Sequence, residues 1–99
     1  MEILKDKTGN TLVISLSGRL DTLSAPQLEE ELKASISDVT ELILDLANLE
    51  YMSSVGLRIL LSAQKTMNTK GEMIVKNVND VIMEIFEVTG FIDILTIEN

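Results

Sequence analysis

Cysteine and histidine are both absent from this chain, and tryptophan with them. Without thiols or imidazoles there is no disulfide, no zinc site of the Cys/His kind, no thiol nucleophile and no histidine-based triad. A hydrolytic or metal enzyme would have to work with carboxylates and hydroxyls alone, so the composition argues against catalysis. Aromatic residues make up only 3%, which leaves the core to Leu, Ile, Val and Met. No apolar run approaches the ~20 residues of a membrane-spanning helix, and the opening MEILKDKTGN lacks the apolar stretch of a signal peptide. A cytoplasmic location is the expectation.

The 99 residues present are 45% hydrophobic, enough for one domain over 1–99 that buries roughly 65% of its unfolded surface. The net charge is −8, from 16 acidic and 8 basic residues. Such a surface repels phosphate backbones and anionic lipid, so direct nucleic-acid or membrane binding is not expected. It suits a partner that offers a basic patch.

No linker, repeat or low-complexity stretch interrupts the chain. Leu12, Ile14 and Leu16 alternate with Val13 and Ser15 as in a half-buried strand. Ile3-Leu4 suggests a short strand before it, joined through a turn at Lys7 to Asn10, where Gly9 and Asn10 tolerate positive φ. Gly18-Arg19-Leu20-Asp21 ends the second strand. Ser24 reads as a helix N-cap with Gln27 as its capping-box partner and Pro26 in the first turn. Ala25, Leu28, Leu32 and Ile36 then follow at helical spacing to about Ser37-Asp38.

Leu42 to Leu46 is a nearly continuous apolar run, the pattern of a central parallel strand covered on both faces. A second helix is expected from Ser54 to Asn68, with Leu57, Leu60, Leu61, Gln64 and Met67 in one stripe. A break at Lys70-Gly71 leads to a strand at Met73-Ile74-Val75. Val78, Val81, Ile82 and Ile85 give a third helix that Thr89-Gly90 stops, and Ile92 to Ile97 supplies a last helical turn or strand. The order ββαβαβα plus a short terminal strand predicts an α/β domain. Its sheet is mixed and mostly parallel, with about four to five strands, an N-terminal hairpin strand and about three to four helices. The loops with Asp21 and Ser54 both leave carboxyl ends of parallel strands, the edge where such folds place their sites.

Within Leu44 to Leu57 a buried strand passes to a helix through two serines. A helix start exposes unpaired N–H groups and partial positive charge, so a serine here can cap the helix or carry a phosphate. Gly56 lies in the first turn, where a side chain would crowd an approaching partner. Met52 and Val55 flank the serines as partner contacts or as packing residues. Arg58, four residues beyond Ser54, shares its helix face and suits a phosphate, an acidic partner group or plain solvent. Asp45, near the end of its strand, either holds the serine loop through N–H groups or is solvated.

The stretch Leu44 to Leu61, LDLANLEYMSSVGLRILL, closely resembles the signature of the STAS domain family. That family includes bacterial anti-sigma factor antagonists and the cytoplasmic tails of sulphate transporters. Gly18-Arg19-Leu20-Asp21 is similar to its glycine-x-hydrophobic-aspartate segment, and Ile85 to Phe91 with Ile94 to Ile97 to its C-terminal segment. Alignment on Gly56-Leu57 puts the family's phosphorylated serine on Ser54 rather than Ser53. The family's preceding aspartate falls on Ser53 and its following small residue on Val55. The first departure removes kinase contacts made by that aspartate. The chain also stops at Asn99, without the final helix many relatives carry.

The resemblance implies an anti-sigma factor antagonist, a regulator of transcription with no active site and no cofactor or metal of its own. Unphosphorylated, it would bind an anti-sigma factor that is a serine kinase of the histidine-kinase-like ATPase type, freeing a sigma factor. Phosphorylation of Ser54 would end the interaction, and a PP2C-type phosphatase would restore it. Asp21 matches the family aspartate associated with kinase recognition, its alternative being a local turn role. Partner contacts are expected from Asp21 and from Met52, Ser53, Ser54, Val55, Gly56 and Arg58. The alternative is an unphosphorylated STAS scaffold in a signalling or transport complex. An enzyme built on Asp45 and Glu50 has neither a partner base nor a nucleotide loop.

Overall fold

The amino-terminal hairpin is longer than Ile3-Leu4 suggests. In the computed structural model, which describes residues 1–98, β1 runs from Glu2 to Thr8 and β2 from Thr11 to Leu20. They pair antiparallel around Gly9-Asn10, with Thr8 opposite Thr11. Only Gly9 takes the left-handed region there, at φ 61°, as a two-residue hairpin with glycine first requires. Then follow α1 (Ala25–Ser35), β3 (Glu41–Met52), α2 (Ser54–Asn68), β4 (Glu72–Lys76), α3 (Asp80–Thr89), a 3-10 turn (Phe91–Asp93) and β5 (Ile97–Glu98). The sheet order is β1-β2-β3-β4-β5, with every pair after the first parallel. The α/β expectation is met, and both readings of Ile92 to Ile97 materialise, one after the other. Asn99 lies outside the described residues.

The sheet is not covered equally on its two faces, contrary to the reading of Leu42 to Leu46. Leu12, Ile14 and Leu16 of β2 and Leu42, Leu44 and Leu46 of β3 are fully buried in the helix-packed core, while Val13 and Ile43 on the other face are half-buried and lie outside it. Helix burial follows the same side: Ala25, Leu28 and Leu32 from α1, Leu57, Leu60 and Met67 from α2, Ile82 and Phe86 from α3. Covering these side chains stabilises the fold by about 1.5–3 kcal/mol for each large one. At the outer edge, Lys5 and Lys7 of β1 reach Glu31 and Asp38. Such lysines blunt an edge strand more than they stabilise it.

The capping box at Ser24 does not form. Ser24 already has helical φ and ψ (−96° and −21°) and makes no side-chain cap bond. Its hydroxyl instead donates to Arg19 O (2.6 Å) and accepts from the Asp21 N–H (2.9 Å), closing the turn before α1. The third helix starts two residues later than its stripe suggests. Asn79 is its N-cap, accepting from the Ile82 N–H at 2.9 Å, so buried Val78 precedes the helix and Val81 faces solvent. Gly90 (φ 81°) ends it in the left-handed conformation usual after a helix.

One buried polar group in α2 is only half satisfied. Gln64 is 6% exposed; its Nε2 donates to Asn68 Oδ1 at 2.8 Å, but Oε1 has no partner among the described residues. A buried unpaired acceptor costs about 1–3 kcal/mol, and methionine has a similar volume. Gln64→Met is therefore expected to raise stability by about 1 kcal/mol, read as a higher urea midpoint. No gain would mean that solvent already reaches Oε1.

Candidate functional site

Asp21 and the two serines meet at one edge because β2 and β3 end together. Leu20 and Met52 are register partners at the carboxyl ends of these strands, and the Ser53 N–H donates to Leu20 O at 2.8 Å. That bond ties the start of α2 to the loop carrying Asp21.

The serines divide two tasks. Ser53 is half-buried and extended (φ −86°, ψ 173°), and its Oγ accepts from the Gly56 N–H at 3.4 Å. Its carbonyl also accepts the Leu57 N–H at 3.0 Å. It is the N-cap of α2. Ser54, the first helical residue, is exposed, and its hydroxyl has no partner among the described residues. No acidic residue occupies the first turn of α2, so the positive end of the helix is not already neutralised there.

Gly56 serves packing rather than partner access. It is buried, and a Cβ would lie 2.8 Å from Leu20 Cγ and 3.0 Å from Met52 Cγ. The crowding it avoids is inside the protein, where α2 sits on the ends of β2 and β3. Met52 is 2% exposed and belongs to the core, which removes it from the exposed contacts. Val55 is half-buried against the core and lines a groove toward α1 with Pro26, Glu29 and Arg58. Exposed Arg58 thus groups with Val55, whereas Ser54 opens onto a different groove beside α3.

Asp21 holds its own loop. Its Oδ1 accepts from the Leu23 and Ser24 N–H groups, both at 3.1 Å, and Oδ2 lies 3.8 Å from Arg19 Nε. The Ser24 N–H above all holds this carboxyl below its ordinary value of 3.8; desolvation opposes it as the next largest influence, and the Leu23 N–H, the Ser24 hydroxyl and the Arg19 charge add to the lowering. A lowered folded pKa means stabilisation fully present above the unfolded value and lost as pH falls through the folded one. Asp38, lowered chiefly by its hydrogen bond from Lys7, acts in the same window. Stability should therefore drop below pH 3.8, and Asp21→Asn should shallow that drop without abolishing it. Urea midpoints between neutral and strongly acid pH read this; identical pH profiles for the two proteins would refute it.

Asp45 does not hold the serine loop. Its Oδ1 accepts from the Ala47 N–H and from Asn77 Nδ2, both at 3.0 Å, so it braces β3 against the segment after β4. The strand continues to Met52, which carries the serines well beyond its reach.

Three features at this edge escaped the sequence reading. Arg19 stacks over the Tyr51 ring, 4.5 Å from its centroid, while flanking Asp21. Leu23, in the Asp21 loop, is 91% exposed. Its signal was available, since it is in phase with neither the strand before it nor the helix after it. Val81 and Val88 of α3 are 55% and 80% exposed.

Comparison with known proteins adds the family. The STAS domain family model matches residues 2–99. BtrV of Bordetella bronchiseptica, provisionally named an anti-sigma factor antagonist, is 35% identical, over 100% of this chain and 87% of its own length. The anti-sigma-B factor antagonist of Listeria monocytogenes is 29% identical, over 97% of this chain and 86% of its own. Among solved structures, an anti-sigma factor antagonist from Mycobacterium paratuberculosis superposes with a TM-score of 0.88 at 26% identity, covering 97% of this chain and 83% of that one.

Proposed function

This chain belongs to the STAS domain family, and from that premise we propose that it is an anti-sigma factor antagonist switched at Ser54. Unphosphorylated, it binds a cytoplasmic anti-sigma factor that is also a serine kinase of the histidine-kinase-like ATPase type, and a sigma factor is released. The named relatives support the first part. The observation that carries the switch is the division between the serines: Ser53 is spent as a cap, while Ser54 presents an exposed hydroxyl, unpaired among the described residues, on the same edge as Asp21.

The chemistry asks nothing catalytic of this chain. Ser54 Oγ attacks the γ-phosphorus of ATP held by the partner, ADP leaves, and the hydroxyl proton passes to a base of the partner. The phosphoserine then faces the β-phosphate of the ADP it has just displaced. That juxtaposition of anions, added to a surface already at −8, favours separation. A PP2C-type phosphatase returns the hydroxyl by hydrolysis.

The test is phosphopeptide mapping of protein from its own cells, with Ser54→Ala as control and as a trap for the kinase. Phosphate on Ser54, and a stable complex with the alanine form, are expected. Phosphate on Ser53 alone would overturn the choice of serine. No phosphate under varied growth and stress conditions would favour an unphosphorylated scaffold, a reading to which the serine at position 53 lends weight.

A further inference from the structure

We propose that the groove between the start of α2 and the outer face of α3 seats an apolar, basically flanked helix of the anti-sigma factor. This inference rests on the function proposed above and extends that site to a second element. Tyr51, Ser54 and Leu57 form one wall of the groove, Val81, Ile85 and Val88 the other, and it opens to solvent with a volume of about 510 Å³. Ser54 is thus on its lip, so the surface is continuous with the switch.

Two observations identify the occupant. First, Val81, Ile85 and Val88 fall at i, i+4 and i+7 of α3; Val81 and Val88 are exposed, and Ile85 between them is half-buried with its inner side against the core, whereas Ile82 and Phe86 are fully buried in it. Spacing of this kind over a helix of ten residues, about 15 Å long, matches a helix laid alongside. Secondly, the exposed acids Asp80, Glu84 and Glu87 border the valines, and none of them is ion-paired among the described residues. The neighbouring cation, Arg19, is engaged by Tyr51 and Asp21. An apolar stripe edged by unpaired carboxylates is complementary to leucine-like residues flanked by Lys or Arg, and it opposes an acidic helix.

The test follows backbone amide signals of the isotope-labelled chain during titration with two synthetic amphipathic helices of about 14 residues. One pairs leucines with lysines, the other leucines with glutamates. The lysine helix is expected to move Ser54, Leu57, Val81, Ile85 and Val88, and the glutamate helix to leave them in place. Val81→Ser with Val88→Ser, at exposed positions that leave the core intact, should weaken the lysine helix by at least about tenfold. Shifts scattered over the acidic surface, or binding indifferent to the double variant, would overturn the proposal. The anti-sigma factor trapped by Ser54→Ala separates this inference from the switch. Weakening by the valine substitutions but not by Ser54→Asp keeps the groove and removes the switch. The reverse result keeps the switch and removes the groove.

Discussion

Phosphorylation of Ser54 is expected to lower affinity for the anti-sigma factor by at least about tenfold while leaving the fold intact. A phosphoserine adds about −1.5 to −2 charges at neutral pH. Within the protein that charge is welcome. It sits on the first residue of a 15-residue helix whose first turn holds no acid, where the helix field stabilises an anion by about 0.3–1 kcal/mol. The Ser53 cap and the bond from its N–H to Leu20 O use other atoms and are not disturbed. Across an interface the same charge must be desolvated or confront the nucleotide phosphates of the partner. Only about 1.4 kcal/mol of that cost is a factor of ten. Calorimetric titration of the ADP-loaded kinase with the two forms reads the affinity, and thermal melting reads the fold. A phosphorylated form that melts several degrees lower would place the switch in the fold instead, and equal affinities would remove it.

The start of α2 was fully legible in the sequence, because every signal there agrees: a polar cap, a glycine, then apolar residues at helical spacing. The strand before it was not. β3 reads as Leu42 to Leu46 yet continues to Met52. Beyond Asp45 it carries two extra residues relative to β2: Ser15 to Ser17 spans Asp45 to Asn48, and Gly18 to Arg19 spans Leu49 to Tyr51. Each bulge sets two residues against one and breaks the period of two. Leu46, Leu49 and Met52 consequently enter the core three residues apart, a spacing that does not announce a strand. The bulges still let β3 end level with Leu20, which brings Ser53 within a hydrogen bond of β2.

The other misreadings have one physical root, that a local signal can be claimed by a different neighbour. Ser24 has the chemistry of a cap, but Asp21 three residues earlier captures it for a turn. Val81 extends an apolar stripe, but Asn79 sets the phase of α3 so that Ile82 and Phe86 face the core. Gly56 reads as space for a partner, but Leu20 and Met52 fill that space from below. In each case the deciding residue lies outside the apolar or capping pattern itself, in a turn, at a helix cap or on a neighbouring strand end, beyond what spacing alone resolves.

Gly71→Ala is expected to be the most damaging small substitution in the chain, costing at least about 3 kcal/mol. Gly71 has no positive φ to explain it, and in sequence it reads only as a helix stop. The space around it gives the reason. A Cβ there would lie 1.8 Å from Thr40 O and 2.7 Å from Thr40 C. These are backbone atoms, so no rotamer can move them aside. Thr40 O accepts the Glu72 N–H at 3.0 Å, the bond that starts the parallel pairing of β3 with β4. Thr40 is itself held from the other side, its N–H donating to Asn10 O at 2.9 Å. Three connections therefore meet at the amino edge of the sheet, and the incoming methyl must push one of them out of register. Ordinary overpacking costs about 1–3 kcal/mol because side chains yield; here the ladder must yield. The gain from stiffening the unfolded chain, about 0.4–1 kcal/mol, does not offset it. Thermal melting should fall by at least about 12 °C for a domain of this size, and an alanine form within about 1 kcal/mol of the parent would refute the clash. Gly71 is at the edge opposite Ser54, so at a temperature where the variant is folded its kinase affinity should match the parent's. That pairing of lost stability with retained binding distinguishes a strut of the fold from a part of the switch.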